Sequence, residues 1–158
     1  MGADLYLEPG YSNAEKKWRP MFEAAVKERD AASQRGDSAA AAKAQERVHE
    51  AYQGMAPEDG YFRDSYNDSS LFWTLGLSWW GGVMPDGTKL YNGKGCIPPK
   101  VAAKLADFVE SAPYVKLPNP SVGESAEQVR AYFDDKKARF VRFLRLAAKS
   151  RRSIRASV

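Results

Sequence analysis

The sequence is poor in the residues from which many sites are built: its 158 residues include one cysteine and one histidine. The cysteine, Cys96, cannot form a disulfide within one chain, which indicates a reducing compartment such as the cytoplasm. With His49 as the only histidine, a His/Cys zinc site within one chain is excluded. The longest uncharged apolar run, 71–84, is shorter than the roughly 20 residues of a membrane-spanning helix.

Catalytic and targeting signatures are also missing. The phosphate-loop pattern GxxxxGK[ST] does not occur, and no serine-nucleophile motif is evident. Asp4 and Glu8 interrupt the N-terminus before an apolar stretch can form, so no secretory signal is predicted. The carboxylates show no metal-binding or acid–base spacing, although such pairs can assemble in space. The sequence therefore predicts a non-enzymatic protein without a metal or another cofactor.

Charge is distributed unevenly along the chain. Residues 136–158, the basic tail, contain nine Lys or Arg and no Asp or Glu. Residues 1–135 contain 15 basic and 20 acidic residues, a net charge of −5. This division predicts that the tail contacts an anion, or that it pairs with an acidic surface of the same or another copy.

The basic tail begins on a predicted helix. Arg142, Arg145 and Lys149 share one helical face through steps of three and four residues, and Arg152 joins them if the helix continues. Such a stripe would bind phosphates, including those of nucleic acids. The alternative is a helix face that is solvated or paired with the acidic body.

The apolar and turn patterns predict a mainly α-helical, single-domain protein with a minor β-hairpin or short strands. Its parts would be an N-terminal arm and helical hairpin (1–58), an aromatic stretch with turns (59–96), and C-terminal helices with the basic tail (97–158). Helices are predicted over 12–34, 39–53, 70–80, 98–111 and 125–149. ADLYLEP near the N-terminus is predicted to be an edge strand or an extended arm. A small hairpin or an ordered loop is predicted within 83–95, and an extended strand for the terminal SIRASV.

Several helix boundaries depend on particular residues. Capping boxes are predicted at Ser12 with Glu15 and at Ser125 with Gln128. Pro20 interrupts the first helix and is an alternative start for it. Three further expectations are Asp37 or Ser38 as cap of the second helix, Asn67 or Ser69 as cap of the third, and an inner face of the fourth formed by Val101, Leu105, Phe108 and Val109.

The aromatic segment, residues 60–80 (GYFRDSYNDSSLFWTLGLSWW), is the most informative stretch. It contains seven aromatic residues, among them three of the four tryptophans. Charged side chains lie among the rings of its first half, whereas its second half is apolar apart from two hydroxyls. Such a segment either seeds the core or lines a pocket.

A ligand site can be built from this segment. Arg63 would bind a phosphate or carboxylate through its planar fork, and Asp64 or Asn67 would accept donors of a base stacked on the neighbouring rings. Because Arg63 and Asp64 are adjacent, they should point to different faces and serve separate partners. The alternative is that both brace the following helix while the rings form core. The candidate ligand-binding residues are Tyr61, Phe62, Arg63, Asp64, Tyr66, Asn67, Trp80, Arg142 and Arg145.

Two shorter patterns have a structural and a functional interpretation. The rings of Trp79 and Trp80 would leave a helix about 100° apart, so we expect one in the core and the other in a pocket or interface. The turn NGKG places Lys94 between two glycines, where backbone amides either form an anion nest or make an ordinary tight turn. His49 is expected to be a solvated helix residue and Cys96 a small buried one.

The strings MGADLYLEP, YFRDSYN with LGLSWW, and AYFDDKKARFVRFLRLA together resemble a set of small uncharacterised proteins from bacteria and their phages. The likeness spans most of the chain, and no activity or catalytic residue is attached to that set. The resemblance implies a prokaryotic or phage protein that works inside the cell. Small phage proteins often bind a host component, frequently one that belongs to defence.

These observations favour a binding protein that sequesters a small anionic ligand, such as a signalling nucleotide, in a counter-defence role in the host cytoplasm. One alternative is an inhibitor or adaptor of a host protein that uses exposed rings and arginines as hot spots. Another is a nucleic-acid-binding protein that works through the basic tail. A homo-oligomer is also predicted, because a second copy often completes a pocket that holds an anion.

Overall fold

The structure, a computed structural model, describes residues 2–8, 10–55, 60–67 and 69–158, with the backbone alone for 10–13. The prediction of a mainly α-helical fold with short strands is confirmed. The predicted capping box at Ser12 and the turn at Pro9 lie outside the described side chains and residues. In chain order the elements are β1 (Gly2–Leu7), α1 (Gly10–Gln34), α2 (Ser38–Met55), β2 (Tyr61–Ser65), α3 (Leu71–Thr74), β3 (Cys96–Ile97), α4 (Pro99–Ser111), α5 (Ala126–Ser150) and β4 (Ile154–Ser157).

The chain forms two compact units. The hairpin unit is the part between β1 and β2 and contains α1 and α2. The sheet unit contains all four strands together with α3, α4 and α5. That residues 1–158 act as one domain stays a prediction.

The hairpin unit consists of two antiparallel helices, as predicted. Arg47 Nη2 donates to Glu28 Oε1 at 2.7 Å, so the middle of α2 lies beside the last part of α1. A Cβ added at Gly54 would lie 2.2 Å from a ring atom of Trp18, so only glycine allows this approach. Small side chains permit the same closeness elsewhere, and the buried alanines are Ala25, Ala32, Ala44 and Ala51.

The ends of α1 and α2 refine the predictions. Helix α1 continues through Pro20, so the alternative start at that residue is wrong. Pro20 is exposed, and its missing N–H removes one backbone donor without ending the helix. Asp37 Oδ1 accepts from the N–H of Ala40 at 3.0 Å, which confirms Asp37 as the cap of α2.

The strands form one antiparallel sheet in the order β2-β1-β4-β3. The prediction of β1 as an edge strand or free arm is wrong, because β2 and β4 pair with its two sides. Ala3, Leu5 and Leu7 of β1 are buried on the core face of the sheet, and Asp4 and Tyr6 lie on its outer face. The terminal strand β4 confirms the expectation for SIRASV.

Helices α4 and α5 contribute many of the core residues that pack on the inner face of the sheet. The predicted capping box of α5 is present, with reciprocal bonds between Ser125 and Gln128. Pro98 precedes α4 as predicted, although the inner face of that helix differs from the expectation. Val101 and Phe108 are only partly buried, and the fully packed positions are Ala102, Leu105, Ala106 and Val109.

The predicted helix over 70–80 is wrong in length. Only the single turn α3 forms, and its cap is Ser70 instead of Asn67 or Ser69. Gly76 adopts φ +73°, which a residue without a Cβ tolerates, and the N–H of Leu77 donates back to the carbonyl of Phe72 at 2.8 Å. The chain therefore leaves the helix after one turn.

The small hairpin predicted within 83–95 is present as a minimal one. Val83 and Lys89 form an isolated antiparallel bridge around the PDG turn. Asp86 Oδ1 accepts from the N–H of Thr88 at 2.9 Å. That bond lowers the pKa of Asp86 below its ordinary value.

Candidate functional site

Strand β2 separates the adjacent residues Arg63 and Asp64, as predicted. Residues of a strand alternate between faces, so Phe62 and Asp64 point to the core while Tyr61 and Arg63 point outward. Phe62 stacks on Phe140 of α5, with ring centroids 4.5 Å apart. The expectation that Phe62 contacts a ligand is corrected by this burial.

Asp64 is the centre of a buried polar network. Its side chain is fully buried, and Oδ1 lies 2.6 Å from Nζ of Lys136, whose side chain is 7% exposed. The remaining lone pairs accept from the side chain of Ser70 at 2.9 Å, from Nε1 of Trp79 at 2.8 Å, and from the backbone N–H groups of Leu71 at 2.8 Å and Phe72 at 3.2 Å. Asp64 therefore braces α3, as the structural alternative predicted. Its carboxylate is occupied by these bonds and does not accept donors of a ligand.

The network explains how two charges are tolerated in the core. A buried ion pair loses hydration, and the attraction repays that loss only where further hydrogen bonds satisfy both groups. Asp64 has such bonds from five donors besides Lys136, because the backbone N–H of Ser65 also donates to Oδ1 at 3.0 Å. Lys136 also donates to the carbonyl of Ser69 at 3.4 Å. Lys136 was not among the predicted site residues, although its position on the apolar stripe between Phe133 and Phe140 indicates burial.

The two adjacent tryptophans have separate environments, as predicted. Trp79 is buried and stacks on Phe72, with centroids 3.5 Å apart and planes 6° apart. Trp80 is 72% exposed, and its ring lies 5.0 Å from that of Tyr66. Tyr91 fixes this turn because its hydroxyl donates to the carbonyl of Trp79 at 2.9 Å, and burial raises the pKa of Tyr91.

The outer face of the sheet holds Tyr61 and Arg63. Tyr61 lies opposite Tyr6 in the register, with ring centroids 5.1 Å apart, and its hydroxyl donates to Asp4. Arg63 lies opposite Asp4, and Nε is 3.7 Å from Oδ1 of that carboxylate. An acid thus already faces the arginine that was predicted to hold a phosphate.

Two of the late arginines, Arg145 and Arg152, form contacts within the sheet unit. Arg145 forms ion pairs with Asp107 at 2.7 Å and Glu110 at 2.6 Å on α4, and these bonds raise the pKa of the guanidinium. Helix α5 ends at Ser150, so Arg152 does not continue its stripe. Arg152 instead donates to the carbonyl of Glu8 at 2.8 Å. Pairing with the acidic body, one of the predicted alternatives, is confirmed for Arg145.

The structure does not bring Arg63 and the α5 arginines together. Phe62 packs on α5 across the inner face of the sheet, whereas Arg63 lies on the outer face. Arg142 is exposed on α5, and Arg145 is held by α4. Asn67 is used locally, since its side chain accepts from the N–H of Ser69 at 3.0 Å.

A different set of exposed rings lies beside α3. Trp73 is 37% exposed on α3, and Nζ of Lys116 lies 5.4 Å from its ring centroid. The N–H of Val115 donates to the carbonyl of Thr74 at 2.8 Å, so the extended segment 113–117 runs next to α3. Val115 itself is 73% exposed.

Two cations lie over the ring of Tyr114, two residues before Lys116. Nζ of Lys137 lies 5.1 Å from the ring centroid, and the guanidinium carbon of Arg130 lies 5.7 Å from it. The hydroxyl of Tyr114 donates to Asp134 Oδ1 at 2.7 Å. Burial and this hydrogen bond raise the pKa of Tyr114 above its ordinary value.

Tyr132 is a further exposed ring on α5. It is 52% exposed, and its ring lies 5.2 Å from that of the buried Phe133. Phe133 also contacts Tyr114 at 6.3 Å, so one core ring supports two surface rings. Lys136 connects both sites, because Nζ lies 5.8 Å from the Tyr132 ring while it pairs with Asp64.

We name this the ring surface; it consists of Trp73, Tyr114, Lys116, Arg130, Tyr132 and Lys137. Its three cations differ from Arg145 in one respect. Within the described residues, no carboxylate oxygen lies within 4.0 Å of the charged nitrogens of Lys116, Arg130 or Lys137. Lys137 donates to the carbonyl of Ala112 at 2.7 Å, which orders it without neutralising its charge.

The remaining sequence candidates have structural explanations. In NGKG, the side chain of Asn92 accepts from the N–H groups of Lys94 at 2.9 Å and Cys96 at 3.0 Å, as in an ordinary turn. His49 is exposed and Cys96 is buried, as expected. Among the described residues, no group of three or more His, Cys, Asp or Glu is arranged to hold a metal ion.

No family model, curated protein or solved structure matches this chain. The resemblance to bacterial and phage proteins therefore stays a prediction. Within the described residues, no helix is both long and apolar enough to cross a membrane.

Proposed function

We propose that this protein is a non-enzymatic binding protein for an anionic ligand that carries a flat ring, such as a nucleotide, and that the ring surface is its binding site. The observation that carries the proposal is the combination of partly exposed rings with three cations that form no ion pair with a described carboxylate, the nearby Asp134 being bonded to the Tyr114 hydroxyl. A bound phosphate or carboxylate would supply the missing negative charge. A base would stack on a ring that is already partly exposed.

The support beneath the ring surface suits such a role. Trp73 is on a helical turn whose first N–H groups are fixed by the buried carboxylate of Asp64. Tyr114 and Tyr132 both rest on Phe133. Rings held in this way lose little conformational entropy when a ligand binds, so more of the contact energy contributes to affinity.

A thermal-shift screen against linear and cyclic nucleotides tests this proposal. A ligand at 100 times its dissociation constant adds about 2.7 kcal/mol, which corresponds to a rise of roughly 5–10 °C for a chain of this size. We expect Trp73→Ala to abolish the shift and Trp80→Ala, a matched loss of an exposed tryptophan, to preserve it. A shift that survives Trp73→Ala and Lys116→Ala would show that the ligand binds elsewhere.

A second candidate function has one observation in its favour. Trp80 is 72% exposed and packs against Tyr66, as a hot-spot residue of a protein interface would. A host protein that binds there should be lost from a pull-down with Trp80→Ala and retained with Trp73→Ala. Size-exclusion chromatography of the same variants tests whether a second copy of this chain is the partner.

A further inference from the structure

We infer that the ligand of the ring surface is single-stranded nucleic acid, not a mononucleotide. This inference rests on the proposed function and specifies its ligand. A cation over a ring occurs twice on the ring surface. Lys116 lies over the ring of Trp73, and Arg130 and Lys137 lie over the ring of Tyr114. A mononucleotide has one base and would use one such unit at a time.

The exposure of these rings points in the same direction. Pockets for small molecules are concave and enclose most of the ligand. Trp73 and Tyr132 are 37% and 52% exposed, so a base stacked on either would keep one side open to solvent. Proteins that bind single strands combine such open stacking platforms with cations that follow the backbone.

The units are adjacent, as a continuous strand requires. The N–H of Val115 donates to the carbonyl of Thr74. Lys116, the residue after Val115, lies over the ring of Trp73, and Tyr114, the residue before it, is the ring of the second unit. Phe133 links Tyr114 to Tyr132 from below. Trp73, Tyr114 and Tyr132 all belong to the sheet unit, so a strand bound to them would not need the hairpin unit.

The decisive experiment is a titration of the full chain with 5′-fluorescein oligothymidylates of two, four and eight nucleotides, and with thymidine monophosphate as competitor. Fluorescence anisotropy should show affinity that rises with length until the rings are covered. The logarithm of the association constant should fall with the logarithm of salt concentration with a slope of about −2, as expected for three phosphate contacts to a single strand.

Matched variants locate the binding. Trp73→Ala and Tyr132→Ala should each weaken binding of the octanucleotide by roughly tenfold, the typical loss of one stacked base. Lys116→Ala should also weaken it, whereas Arg142→Ala should not, because Arg142 is an exposed α5 cation with no described ring beneath it. The reverse result would move the site to the basic tail and overturn the inference.

Other outcomes are equally informative. Equal affinity for the monophosphate and the octanucleotide would overturn the inference and leave the proposed function standing. Binding of neither would count against both. Displacement of the oligonucleotide by a polyglutamate peptide at equal charge concentration would show a surface for acidic proteins, and would also overturn the inference.

Discussion

The network around Asp64 and the ring surface are neighbouring regions that differ in the partners of their charged groups. In the network, the buried carboxylate has an ammonium at 2.6 Å and donors for its remaining lone pairs. On the ring surface, Lys116 and Arg130 lie over rings and form no ion pair with a described carboxylate. A satisfied network contributes to folding, whereas cations without an ion pair remain available to a ligand.

Lys136 shows how closely the two regions are joined. Its ammonium pairs with Asp64 in the core and lies 5.8 Å from the centroid of the exposed Tyr132 ring. We expect substitutions in the network to change mainly stability, and substitutions on the ring surface to change mainly binding.

Removal of Asp64 should have the largest effect. Asp64→Ala leaves the ammonium of Lys136 buried without its partner, and we expect a loss of about 3–5 kcal/mol in the free energy of unfolding, measured with urea. Asp135→Ala is the matched control, since it removes an exposed carboxylate whose partner, Arg139, is also exposed. Equal losses for the two variants would contradict the network.

The pair itself can be tested with a double substitution. Lys136→Met alone leaves Asp64 charged and should also destabilise the fold strongly. In the variant that combines Asp64→Asn with Lys136→Met, both charges are gone, so the loss should be clearly smaller than the sum of the two single losses. Additive losses in the same urea series would show that the two groups are not coupled.

Trp79 should have an intermediate effect. Trp79→Phe keeps a ring against Phe72 and removes the indole N–H that donates to Asp64 at 2.8 Å. A hydrogen bond to a charged group contributes about 1.5–3 kcal/mol, which is the loss that we expect. Trp80→Phe should leave stability almost unchanged, and a comparable loss there would refute the assigned environments.

Substitution of Trp73 should affect binding more than stability. Because its ring is 37% exposed and its bond to Ser70 is made by the backbone N–H, Trp73→Ala should lower the melting temperature less than Asp64→Ala does. The same change should weaken ligand binding by roughly tenfold. A variant that loses several degrees of melting temperature and keeps its affinity would place Trp73 with the network instead.

The smallest effect is expected at Arg145. Its ion pairs with Asp107 and Glu110 are exposed, and such pairs contribute little after solvent screening. Arg145→Ala should therefore lower the melting temperature slightly in low salt and not measurably in 1 M salt, where the screening length is about 3 Å. A large loss that persists in high salt would mean that the α4–α5 contact depends on this arginine.

Local patterns in the sequence predicted much of the fold. The capping box at Ser125 and Gln128, the proline before α4 and the strand at the C-terminus are determined by neighbouring residues, and all three are present. The interior position of β1 could not be predicted, because it depends on pairing with a strand some 150 residues away.

The candidate site was harder to predict for the same reason. Trp73, Tyr114 and Tyr132 come from three separate parts of the chain, and only their shared packing on α5 and segment 113–117 brings them together. Charge count favoured the late arginines, yet Arg145 is neutralised by acids that the sequence places more than 30 residues earlier. The sequence indicated that the aromatic segment forms core or lines a pocket, and it could not show which of its rings stay exposed.

The most direct test is the affinity of the wild-type chain for an eight-nucleotide single strand compared with that of Lys116→Ala and Arg142→Ala. These variants remove one exposed lysine over a ring and one exposed arginine without a described ring. The account predicts weaker binding and a shallower salt dependence for Lys116→Ala, and wild-type values for Arg142→Ala. Unchanged binding by Lys116→Ala would contradict the claim that the ring surface is the ligand site.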